Sequence, residues 1–465
     1  MLRRTMALGG LMMFAASCSM QPAETQTNPP AAVTLYEGAR LIAGNGSAPI
    51  ESAAFLVEDG TITRVGNKGE IEAPAGAARV DLTGKTVMPT LVDAHGHPGF
   101  QNGLSYTADN LTRENIVNDL NRALYFGVGV VQSLGIEKGD TMDQIRADQK
   151  AGTLGGARLL IAGRGMGAPN AGPGSATYAN IVYELTTEDE ARQAVRELVA
   201  KQVDMLKIWV DDRNGRAPRL PPNLYRVIID EGHKAGLTVT AHVYYHEDAV
   251  DLVNSGINGF AHNVRDKVLS DELVAAIVKN NVYVMLNMSE RSTYRELPPW
   301  LKEGDPLMAM IQESVPPPVI ERIKKSYEGR DPAAVERSRA SYSILQQSAA
   351  KLAKANANII LGPDTGLVDH LFGIAEQREM DNMVTAGLTP MQAIVAATSR
   401  TAEFLKLDKM GTLAPGMEAG FLVLDANPLD QITNIARISK IYVKGVAVDR
   451  AALARSLRMS ASTTN

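Results

Sequence analysis

Eight short apolar stretches, mostly separated by helical ones, constrain this chain more than any other feature. They lie near residues 87–97, 128–135, 157–164, 204–212, 238–243, 259–264, 282–289 and 358–364. Strands alternating with helices run parallel, because a parallel pair needs a crossover long enough to hold a helix. Eight such units predict an α/β fold built on a (β/α)8 TIM-type barrel, whose reactive residues lie at the C-terminal ends of the strands. With 465 residues the chain has room for that barrel and a small extra module.

The extra module is read from both ends. Residues 33–87 hold VTLYEGARLIAG, SAAFLVEDGTITRVG and ARVDLTGKTV, alternating apolar runs separated by Asp-Gly and Gly-Lys turns. A matching set, AGFLVLDANP and RISKIYVKGVAVD, returns at 419–449. The expectation is a small β-sandwich formed by 33–87 and 409–450, a barrel over 88–408 and a tail at 451–465.

The first residues read as a targeting segment. Arg3 and Arg4 precede an apolar stretch from Met6 to Ala16, too short for an ordinary transmembrane helix. Cys18 follows small residues and is the only cysteine, which excludes an intrachain disulfide. Its setting resembles a bacterial lipoprotein cleavage box, with Ala15 where such boxes usually carry Leu. Residues 1–18 are therefore expected to be a lipoprotein signal peptide, with lipidation at Cys18 and a periplasm-facing envelope location; an ordinary signal peptide with a soluble periplasmic product is the alternative. The polar, Pro-rich residues 19–32 read as a linker. Apolar residues make up 45% of the chain and charged residues 21%, with a formal net charge of −5. There is no basic tail or stripe to suggest nucleic acid. The partner expected is a small-molecule substrate, membrane contact runs only through the lipid anchor, and a homo-oligomer is compatible with this composition.

The chemistry is carried by the histidines, seven in all. His95 and His97 close the apolar run VMPTLVDAHGH, and strand residues at i and i+2 point the same way. His242 ends LTVTAHV and His262 ends INGFAHNV. Four histidines at equivalent strand ends point to metal ligation by neutral imidazole. Lys207 lies inside the apolar strand pattern DMLKIWVDD. A buried ammonium is costly unless paired or neutralised. Carbamylation by carbon dioxide would turn it into a bidentate anion able to bridge two metals; snorkelling at a strand end is the alternative. Asp364, in NIILGPDTG, suits a metal ligand and proton shuttle, or else a helix N-cap in a turn. Two long segments, 165–178 and 290–345, are expected to be loops that shape a pocket or decorate the surface.

Taken together, HGH after an apolar strand, KIWVDD, the Ala-His pairs at 241–242 and 261–262, GPDTG, and GLTPMQAIVAATSRTAEFLKL followed by GTLAPGMEAGFLVLDANPL resemble the amidohydrolase superfamily, in its imidazolonepropionase-like and prolidase-like branch. The resemblance spans residues 33–450. It implies metal ligation by His95, His97, His242, His262 and Asp364, a carbamylated bridge at Lys207, and two divalent ions of the Zn²⁺ type. It implies hydrolysis of an amide C–N bond in a dipeptide, N-acyl amino acid or cyclic amide by metal-activated hydroxide, with Asp364 as catalytic proton shuttle. Tyr244, in register with His242, and Arg265 are candidates to grip a substrate carboxylate. Thr90 stands where a glycine is often seen, and the segment after strand 8 lacks the usual His-x-Glu-Leu. A lactone or ester hydrolase on the same site, a mononuclear deaminase and a non-catalytic binding lipoprotein are the other readings. A deaminase commonly places Glu three residues after the strand-5 histidine, where this chain has Tyr245.

Overall fold

The computed structural model describes residues 33–102, 105–172, 181–291, 304–367 and 370–460. The signal segment with Cys18, the 19–32 linker and parts of the 165–178, 290–345 and 451–465 segments lie outside the described residues. No described helix is long and apolar enough to cross a membrane.

Strands from both ends of the chain meet, as expected, but in one eight-stranded sheet. It contains β1 (Val33–Leu41), β2 (Ile50–Glu58), β3 (Thr61–Asn67), β4 (Ala78–Asp81) and β5 (Thr86–Pro89), with β18 (Phe421–Leu424), β19 (Ile438–Val443) and β20 (Val446–Ala447). The seam is the antiparallel pairing of β5 with β18, Val87 opposite Val423. Asp59-Gly60 and Lys444-Gly445 turn the β2–β3 and β19–β20 hairpins with both central residues at positive φ. That left-handed pair matches the twist of the flanking strands.

The strand expected over 87–97 is divided. Residues up to Pro89 pair in the terminal sheet, and β6 (Leu91–Gly96) starts a second, parallel sheet with β9 (Val128–Ser133) and β10 (Arg158–Ile161). Thr90 is the hinge, its amide donating to Gly420 O while Leu91 N donates to Gly127 O. Between β6 and β9 the chain makes a short hairpin, β7 (Gln101–Asn102) with β8 (Ser105–Tyr106). A further sheet holds β11 (Met166–Gly167), β12 (Tyr183–Glu184), β13 (Met205–Val210), β14 (Thr238–Val243), β15 (Gly259–Phe260), β16 (Tyr283–Met285) and β17 (Asn358–Ile360). All its pairings are parallel. The result is a mixed α/β protein with parallel sheets.

Every residue of β6 and β13 is buried, as expected of parallel strands covered on both faces. Alternation still separates the faces. Leu206, Ile208 and Val210 of β13 and Val239, Ala241 and Val243 of β14 join the large core cluster that includes Leu224 and Ile228 of the helix Pro222–Lys234. Lys207, Trp209, Thr240 and His242 are therefore set toward the other side.

The 290–345 segment differs from its expectation. Its described part is helical, over Pro306–Ser314, Pro317–Ser326 and Pro332–Lys354. The prolines start helices, since the missing N–H is not needed at the first helical position. Asp305 and Asp331 cap two of these helices, accepting from Leu307 N and from Ala333 N.

Candidate metal centre

Asp364 reaches the β6 histidines because the chain after β17 is laced to the end of β6. Ala94 N donates to Leu361 O at 3.0 Å, Thr365 N to His95 O at 3.1 Å, and His97 N to Thr365 O at 2.7 Å. Asp364 is buried, in the left-handed region at φ 65°, and caps no helix. A non-glycine residue there is strained, a condition that clusters at functional sites. Gly366 permits the close pass, since a Cβ on it would lie 2.5 Å from His97 O.

The side chains converge. Asp364 Oδ1 lies 2.8 Å from His97 Nε2 and 3.2 Å from His95 Nε2, and Oδ2 lies 3.9 Å from His262 Nε2. Ring centroids of His95 and His262 are 5.0 Å apart, and those of His242 and His262 are 4.3 Å apart. His262 falls just past the end of β15 rather than on a strand, but still joins the cluster. His95, His97 and Asp364 offer ligand atoms all within 4.8 Å of one another, a group able to hold a metal ion.

Protonation suits that role. His95 Nδ1 lies 3.1 Å from Ala261 O, and a carbonyl only accepts, so Nδ1 carries the hydrogen and the Nε2 lone pair faces Asp364. Burial, with Lys207 and His97 adding to it, holds the His95 imidazole well below its usual range. Burial and the Arg265 charge do the same to His262, and burial with Arg213, Lys207 and Arg265 pushes His242 down to about 3. Neutral imidazole is the form that ligates a metal. For Asp364, burial acts upward, and its bond to His97 helps hold the carboxyl well below the usual range.

Lys207 is 1% exposed, and its Nζ has no hydrogen-bond partner among the described residues. Nζ lies 5.5 Å from the Trp209 ring centroid. Burial, reinforced by Arg213 and Arg265 against the pull of Asp364, brings its amine down to about 7. The snorkelling alternative does not hold, because the ammonium end does not reach solvent. An orphaned buried amine beside imidazoles and a carboxylate fits the donor set of a divalent-metal site.

Arg265 is buried, its guanidinium lying against His262 Nδ1 and donating at 3.4 Å to Asn287 Oδ1, which places it within the cluster rather than in a surface pair. Tyr244 is half-buried; its ring packs on Tyr245, and its carbonyl accepts from Arg265 N at 3.0 Å. Sequence reasoning missed two residues. Asp211 is buried and accepts from His242 Nε2 at 3.0 Å. The signal was present, since Asp211 lies four residues past Lys207 on the same strand face. Asn287, also buried, donates to Gly362 O at 3.2 Å while accepting from Arg265.

An uncharacterised Mycobacterium tuberculosis protein is 26% identical over 239 residues, 50% of this chain and 56% of that protein, so the match spans little more than half of the relative. Among solved structures, a Bifidobacterium longum protein assigned provisionally as a prolidase superposes with a TM-score of 0.74 at 24% identity, covering 93% of this chain and 100% of that one. A Xaa-Pro dipeptidase with bound methionine in its active site gives 0.72 at 18% identity, covering 89% and 99%. Likeness at that identity speaks for a shared fold. The profile of the amidohydrolase family matches residues 86–448. The chain belongs to the amidohydrolase family.

Proposed function

We propose that this chain is a binuclear metal-dependent hydrolase of carbon–nitrogen amide bonds, acting on dipeptides, N-acyl amino acids or cyclic amides. The observation that carries the reading is the buried, orphaned amine of Lys207 beside His95, His97, His242, His262 and Asp364. His95, His97 and Asp364 would hold one divalent ion, His242 and His262 a second, both of the Zn²⁺ type. Lys207 would bridge them as a carbamate. Its neutral amine adds to carbon dioxide, forming an N–C bond and releasing one proton.

Bound metal supplies an activated water at neutral pH and polarises the substrate carbonyl. Asp364 takes the proton of the attacking water and delivers it to the leaving nitrogen as the C–N bond breaks, base first and acid second. Arg265 and Tyr244 would orient a substrate carboxylate, Arg265 through a charge-assisted bond. The provisional prolidase assignment of the Bifidobacterium neighbour and the Xaa-Pro dipeptidase identity of the other are consistent with amide substrates of this size.

A lactone or ester would meet the same activated water, and a substrate panel separates it from an amide. The mononuclear deaminase reading is weaker, because Tyr245 donates to Asp212 at 2.8 Å and brings no carboxylate to the site. We further read the two parallel sheets as one closed (β/α)8 barrel. Support comes from the bonds between the end of β6 and the chain just after β17 at one junction and from Asp204 N donating to Ile161 O at 2.8 Å at the other. The domain limits 33–87, 88–408 and 409–450 and an envelope location through a lipid on Cys18 belong to the same proposal. The direct test is hydrolysis of dipeptide and N-acyl amino acid panels before chelation, after chelation and after Zn²⁺ is restored. Turnover that survives chelation unchanged would contradict the metal-dependent reading.

A further inference from the structure

We propose that Asp211, clamped by Arg213, is a positioning residue that fixes which ring nitrogen His242 presents to the second metal position. The inference rests on the binuclear reading and adds to it a residue on which one of the two ions depends.

The argument starts from the strand. Asp211 directly follows β13, and Trp209 of that strand pairs in register with His242 of β14. Two residues on, the Asp211 carboxylate stands beside the imidazole. Its Oδ2 lies 3.0 Å from His242 Nε2 and 3.2 Å from Arg213 Nη1, and its Oδ1 accepts from Arg213 N at 2.9 Å. The group is 4% exposed. Arg213 and Asn214 both take left-handed backbone, φ 55° and 59°, which folds the chain back so that Arg213 can grip the carboxylate through both amide and guanidinium.

An ionised carboxylate can only accept, so His242 Nε2 carries the hydrogen. A neutral imidazole has one N–H, which leaves the ligating lone pair on Nδ1. His95 has the opposite arrangement, with Nδ1–H bound to Ala261 O and its lone pair on Nε2. The chain thus sets opposite tautomers at its two metal positions, one with a backbone carbonyl and one with a side chain open to mutation. Arg213 also donates through Nε to Gly172 O at 3.1 Å. That bond ties Gly172 to the clamp.

The experiment uses the full chain loaded with Zn²⁺, as wild type, Asp211→Leu, Asp211→Asn and Arg213→Met. Metal per chain is measured by elemental analysis, and the His242 tautomer by nitrogen NMR of the metal-free chain. Wild type is expected to hold about two ions. Asp211→Leu is expected to keep the ion at His95, His97 and Asp364 and to lose the other. Asp211→Asn still offers an oxygen acceptor, and its second ion is expected to bind about 10–100-fold more weakly. Arg213→Met should fall between wild type and Asp211→Leu. His242 in the wild type should carry its proton on Nε2, and in Asp211→Leu on either nitrogen. Two ions at wild-type affinity in Asp211→Leu, or a wild-type His242 protonated on Nδ1, would overturn the proposal. A single ion in the wild type is a failure of the binuclear reading itself, visible before any variant is made. Should Asp211→Leu not fold, Asp211→Asn and the wild-type tautomer still decide.

Discussion

His97 Nε2 lies 2.8 Å from Asp364 Oδ1, although the two residues are 267 positions apart in the chain. The contact follows from backbone pairing, through the reciprocal bonds of His95, His97 and Thr365. A carboxylate held this way beside two imidazoles can both ligate and exchange a proton, the two roles proposed for Asp364.

Asp364→Asn keeps the shape and removes the proton acceptor. Turnover of any amide that the wild type hydrolyses should fall by about 10²–10⁴-fold. Steady-state kinetics, with metal content measured alongside, separate loss of the proton transfer from loss of the ion.

Gly366→Ala tests the lacing itself. Gly366 sits at φ 92°, with backbone of His97 where a Cβ would go. The substitution should cost about 1–3 kcal/mol in stability and weaken metal binding at His95 and His97. Chemical denaturation and metal titration check the two effects.

The metal-free chain should become more stable as pH rises above 7. Burial brings the folded Lys207 amine from 10.5 down to about 7. Between those values the unfolded chain binds a proton that the folded chain does not, so Lys207 contributes stability that grows with pH across that window and is lost as pH falls toward 7. Denaturant midpoints at intervals from pH 7 to 10 should rise more steeply for wild type than for Lys207→Met. Equal slopes would mean that the amine is not buried uncharged.

Arg265→Met should raise KM for an N-acyl amino acid by about 10–100-fold, the worth of a charge-assisted hydrogen bond, and leave KM for the corresponding carboxamide nearly unchanged. Paired kinetics on the two substrates test it. An equal rise for both would assign Arg265 to His262 rather than to substrate.

Much of the site was legible because strand alternation is local. Period two places His95 with His97, and Lys207 in an all-apolar strand announces a buried amine. Asp364 stood out less, since Pro-Asp-Thr-Gly reads equally well as a helix-starting turn, and only long-range pairing with β6 separates the two. Asp211 shares the face of Lys207 but looks like an ordinary polar strand end until His242 is placed beside it. Asn287 gives no sequence signal at all; its role depends on β16 ending where Arg265 and Gly362 meet. The described part of 290–345 is helical where a loop is expected, because proline marks both loops and first helical positions; the capping aspartates Asp305 and Asp331 are the clue that separates them.

The central claim is a pair of metal ions bridged at Lys207, and metal content per chain tests it most directly, for wild type and Lys207→Ala. The account predicts about two divalent ions in the wild type and the loss of at least one in the variant, with labelled bicarbonate entering a carbamate only in the wild type. One tightly held ion in both proteins would contradict the bridge and leave a mononuclear site on His95, His97 and Asp364.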